Sequence, residues 1–102
     1  MKTLTICGSM RFEKLMQEIA YTLETEQGVN VLQCVYSSNI PSKEQMERLA
    51  AAHYRKIDMS DGIYVVNPEG YIGESVQKEI AYAMSKNKEI LYYEEVPADL
   101  DR

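Results

Sequence analysis

Four short apolar runs, the first three each followed by a segment of helical period and none joined to the next by a hairpin turn, constrain this chain more than any other feature. Residues 4–7 form a short, mainly apolar run that stops at Gly8-Ser9, which reads as a buried strand followed by a tight turn. Phe12, Leu15, Met16, Ile19, Ala20 and Leu23 then recur at threes and fours, an amphipathic helix that closes before Gly28. Residues 29–36 form a second strand pattern and 37–42 a loop, in which Ser42 caps a helix over 43–57. That helix carries Met46, Leu49, Ala50, His53 and Ile57 along one side. A third strand over 63–66, a turn-rich loop over 67–74, a helix over 75–85 and a fourth strand over 89–93 complete the order. Such alternation, with right-handed crossovers, gives a parallel sheet covered by helices on both faces. The expected fold is a small flavodoxin-like, Rossmann-like doubly wound α/β sheet of four strands in the order 2-1-3-4. One domain spans residues 1–94, and 95–102 is an acidic C-terminal tail.

Composition narrows the function classes. A chain of 102 residues has room for a single core. Net charge is −5 and no basic stripe is visible, which argues against polymeric nucleic acid while leaving room for one small anion. No apolar run approaches the ~20 residues of a membrane span, and the run before Gly8 is too short for a signal peptide. Cys7 and Cys34 fit neither a metal-ligand spacing nor a disulfide framework and read as buried thiols. A cytoplasmic protein without a metal is expected.

In a sheet of this order the topological switch lies between the first and third strands, and ligands bind beyond their carboxyl ends. The loops meeting there are Gly8-Ser9-Met10-Arg11 and residues 67–75. The second opens a helix, so an anion is favoured at Gly73-Glu74-Ser75, with Arg11 adding a charge-assisted contact. The plainer reading of Gly8, Gly73 and Ser75 is turn and cap chemistry. Glu79 lies one helical turn from Ser75, Val76 and Ala83, at the border of the apolar face. There it is either a solvated edge carboxylate or a nucleophile or acid/base beside the pocket. His53, the only histidine, is either a satisfied semi-buried side chain or a proton carrier. Asn67 borders the same loop, and Tyr71 within it is placed to stack on a base.

Cys7-Gly8-Ser9-Met10-Arg11 after the first strand resembles the opening motif of deoxynucleoside 5′-monophosphate N-glycosidases. Ser60-Asp61-Gly62-Ile63-Tyr64-Val65-Val66, a glycine loop and then Glu79-Ile80-Ala81-Tyr82-Ala83 are similar to the pattern of the nucleoside 2-deoxyribosyltransferase superfamily. The resemblance runs in order along nearly the whole chain. It implies that Glu79 is the nucleophile toward the sugar anomeric carbon and that His53 assists departure of the base. Gly8, Ser9, Arg11, Asn67, Tyr71, Gly73 and Ser75 are then the substrate and phosphate contacts. The relatives carry an aspartate where His53 stands, a serine where Gly73 stands, and a glycine where Ala81 stands. The resemblance thus implies an N-glycosidase or deoxyribosyltransferase acting on a nucleotide or nucleoside, needing no cofactor and assembling as a homodimer or higher homo-oligomer. The alternatives are a non-catalytic nucleotide-binding module on the same fold and, more distantly, an interaction protein with a vestigial pocket.

Overall fold

The computed structural model describes residues 2–95. The 95–102 tail lies outside them except for Glu95. Strand β1 (Thr3–Gly8) is followed by a 3-10 turn (Met10–Phe12), helix α1 (Glu13–Gln27), strand β2 (Asn30–Leu32) and helix α2 (Lys43–Asp58). Then come strand β3 (Gly62–Val66), a second 3-10 turn (Pro68–Gly70), helix α3 (Glu74–Ser85) and strand β4 (Glu89–Tyr92). All pairings are parallel and the strand order is β2-β1-β3-β4, as the alternation of elements requires. Among the described residues no helix is long and apolar enough to cross a membrane.

Helix boundaries follow from local chemistry. Gly28 ends α1 in the left-handed conformation at φ 66°, its N–H bonded to the Leu23 carbonyl. Ser42 and Gln45 form a reciprocal capping box at the start of α2. Gly8 is needed for a different reason. A Cβ there would stand 2.6 Å from Met16 Sδ and 3.2 Å from Val66 Cβ, so any side chain at this position requires Met16 and Val66 to give way.

Side chains alternate across the sheet with period two and divide the core in two. Ile6, Tyr64 and Val66 face α1 with Met16, Ala20 and Leu23. Cys7, Ile63 and Val65 face the opposite layer, where α2 contributes Ile57 and α3 contributes Val76 and Ala83. Helices α2 and α3 are joined by the stacked edges of Tyr54 and Tyr82 and by a 2.6 Å hydrogen bond from the Tyr82 hydroxyl to Asp58. A polar knot of Thr5, Ser60 and the Lys56 carbonyl ties the end of α2 to β1.

Two expectations need correction. Strand β2 pairs over only three residues, not across 29–36. Beyond Leu32 the chain leaves the sheet, and the Gln33 carbonyl accepts from Lys56 Nζ instead. Cys34 and Tyr36 still pack on the α1 core, so the apolar run signalled burial without strand pairing. The inward stripe of α2 is also shorter than its sequence pattern. Residues 43–51 are exposed throughout, Met46 and Leu49 included, and only His53 and Ile57 are buried.

Candidate active site

Three elements bring one titratable side chain each to the same point. Cys7 is the next-to-last residue of β1 and, by strand parity, points to the α2–α3 side of the sheet. His53 lies one turn before Ile57 on the inward face of α2. Glu79 lies between Val76 and Ala83 on the inward face of α3. His53 Nε2 stands 3.4 Å from Cys7 Sγ and 3.7 Å from Glu79 Oε1. Cys7 is fully buried, while the His53 and Glu79 side chains keep 10 % and 17 % of their surface. Contact with solvent is therefore on the Glu79 side.

Burial sets the protonation of all three. The carboxyl of Glu79 is pushed up to about 7, a shift that the hydrogen bond from the Cys7 thiol partly opposes. Burial pushes His53 down to about 4, helped by the charge of Lys56 and opposed by a hydrogen bond to the Ile6 backbone. The Cys7 thiol is raised well above its ordinary value, by burial first and then by the neighbouring Glu79 charge. Between about pH 4 and 7 the carboxyl and the imidazole thus hold one proton between them, and it belongs to the pair. A carboxyl that releases its proton near pH 7, beside a neutral imidazole, is suited to nucleophilic or acid/base work.

The loops at the switch point close on each other. Arg11 lies over the Tyr71 ring at 4.3 Å from its centre, and Phe12 meets that ring edge-on at 5.9 Å. The Ser9 hydroxyl accepts from the Arg11 backbone N–H and caps the first 3-10 turn. Gly73 precedes α3 as its cap residue and offers no side-chain cap, so the first-turn N–H groups stay open to an anion. Ser75 is exposed in that first turn and is not the cap. Asn67 has a structural task. It is fully buried, its amide donates to the Glu94 carbonyl at 3.1 Å, and its oxygen accepts from the Glu94 N–H at 2.8 Å. Asp61, at the opposite edge of the sheet, accepts from the Thr3 N–H at 2.8 Å and pins the start of β1.

Sequence reasoning missed Cys7 as a member of this cluster. The signal available was its parity on β1, the same face as the polar Thr5. Cys7, His53 and Glu79 have their ligand atoms within 4.8 Å of one another, the one such group among the described residues.

Fold and cluster together define a class: a four-stranded parallel α/β protein in which the end of β1, α2 and α3 bring together a thiol, an imidazole and a half-buried carboxyl. Compared with known proteins, the chain matches no family model, no curated protein and no solved structure.

Proposed function

We propose that the protein is an N-glycoside-cleaving enzyme of the nucleoside 2-deoxyribosyltransferase type, acting on a small nucleotide or nucleoside with Glu79 as nucleophile. The observation that carries this reading is the Glu79–His53 contact of 3.7 Å, which sets a nucleophile-type carboxyl beside a proton acceptor near the switch point of a parallel sheet. Above about pH 7 Glu79 has lost its proton to solvent, and its carboxylate attacks C1′. The C1′–N bond breaks with its electron pair going to the base, which is protonated from solvent. Water or a second base then resolves the glycosyl ester. At 3.7 Å the two groups are closer than the roughly 5–5.5 Å at which a retaining pair flanks a sugar. His53 therefore serves Glu79 itself rather than reaching the leaving base across the ring. The open α3 N-terminus, with Arg11 and Ser9, supplies the phosphate contacts, and the exposed Tyr71 face supports the base.

The uncovered apolar side of α2, with Met46 and Leu49 exposed and Ile40 91 % exposed beside it, supports a homodimer through this surface. The free thiols of Cys7 and Cys34 fit the reducing cytoplasm.

The test is chromatographic detection of free base from a pool of deoxy- and ribonucleosides and their monophosphates. Release by the parent protein should rise as pH passes through about 7, where Glu79 ionises, and vanish in Glu79→Ala. A non-catalytic nucleotide-binding module is the second reading, favoured by an imidazole at the place of the relatives' acidic residue. Nucleotide binding without base release at any pH establishes it instead.

A further inference from the structure

We propose that Cys7 Sγ, His53 Nε2 and a carboxylate oxygen of Glu79 form a binding site for one thiophilic divalent cation of the zinc type. The proposal shares residues with the catalytic reading but does not depend on it. Zinc bonds of about 2.3 Å to sulfur and about 2.0–2.2 Å to nitrogen and oxygen, spread tetrahedrally, set ligand atoms roughly 3.3–3.6 Å apart. The sulfur–nitrogen and nitrogen–oxygen separations here are 3.4 and 3.7 Å and all three ligand atoms lie within 4.8 Å of one another, so small side-chain movements bring the donors to the corners of such a site.

Each donor comes from a different rigid element, β1, α2 and α3, and each is held by the packing of its neighbours Val65, Ile57 and Val76. That is the arrangement that fixes a metal geometry most firmly. The donor types select the metal. Thiolate and imidazole disfavour magnesium and calcium, which take oxygen ligands, and suit zinc or cobalt. Charge is also balanced: one thiolate, one carboxylate and a neutral imidazole cancel a divalent ion, so the buried site carries no net charge. On binding, Cys7 gives up its S–H proton to solvent, as does Glu79 when it holds one. Three protein ligands leave a fourth position for water or another small ligand. Glu79, the most exposed of the three, marks the side from which the ion enters. A bound ion occupies the carboxylate that would attack a sugar, so metal loading and glycosyl transfer exclude each other.

The experiment is anaerobic titration of the full chain with cobalt(II), without thiol reductant, read by absorption. One equivalent should produce a thiolate-to-cobalt charge-transfer band together with the ligand-field bands of a four-coordinate ion, and zinc should displace both. Cys7→Ser should lose the charge-transfer band and Cys34→Ser should keep it. His53→Ala and Glu79→Gln should each weaken binding by at least about 100-fold, the upper end of what losing even an outer-shell partner costs. Glu79→Gln keeps the shape of the side chain and so decides the matter even where Cys7→Ser folds poorly. The proposal is overturned by the absence of a charge-transfer band in the parent protein, by its loss in Cys34→Ser, or by unweakened binding in either His53→Ala or Glu79→Gln. Cobalt binding without base release, or base release without cobalt binding, tells this site apart from the catalytic reading.

Discussion

Replacing Glu79 with glutamine should make the protein more stable at alkaline pH and leave it nearly unchanged in acid. In the folded protein the carboxyl loses its proton near pH 7, against 4.5 when unfolded. A carboxyl raised in this way contributes fully below the unfolded value, and the contribution is lost as pH rises through the folded one. The interval from 4.5 to about 7, at about 1.4 kcal/mol per pH unit, amounts to about 3 kcal/mol. His53 runs the other way. Its folded value of about 4 against 6.5 means that stability is lost as pH falls through that window, again by about 3 kcal/mol. In the parent protein the two contributions cancel between about pH 4.5 and 6.5, because folded and unfolded pairs hold the same number of protons. The parent should therefore show little pH dependence from this pair. Glu79→Gln should gain stability steadily from pH 4.5 to 6.5, and its advantage over the parent should have grown by about 3 kcal/mol by about pH 7.5. Urea unfolding followed by circular dichroism at fixed protein concentration resolves this, since urea slopes of about 1–3 kcal/mol/M turn it into a midpoint difference of about 1 M or more. Midpoints of variant and parent that stay parallel from pH 4.5 to 7.5 would refute the buried, proton-holding Glu79.

Packing and burial set three further outcomes. Gly8→Ala should destabilise by about 1–3 kcal/mol in thermal or urea unfolding, because the new Cβ meets Met16 and Val66. Asn67→Ala should cost about 1–3 kcal/mol in the same assay, since it leaves both backbone groups of Glu94 without their partner. Light scattering should report a dimer at micromolar concentration, with an interface of about 1,200–2,000 Å² in total. Leu49→Glu should shift it to monomer, and a parent protein already monomeric would contradict the α2 surface as the contact.

The topology was legible because periodicity is a direct imprint of burial. The shift from runs of apolar residues to spacings of three and four marked every strand and helix, and the lack of hairpin turns left a parallel sheet as the solution. The length of β2 was not legible, since apolar residues such as Cys34 and Tyr36 serve the α1 core equally well with or without strand hydrogen bonds. His53 and Glu79 stood out because each is a polar residue in an apolar stripe. That they meet, and that Cys7 lies under both, depends on how α2 and α3 sit across the sheet, and no local pattern encodes that distance. Asn67 shows the same limit. Its place at the end of β3 suggested a ligand contact, while its partner, the Glu94 backbone, lies beyond β4.

Whether Glu79 is the nucleophile is decided by intact-mass analysis of the protein after acid quench, during turnover of a nucleotide or nucleoside that releases its base. The expected result is a covalent adduct with the mass of the glycosyl group, mapping by peptide fragmentation to Glu79 and absent in Glu79→Gln. Base release with the adduct on another residue, or unimpaired release by Glu79→Gln, would contradict that role.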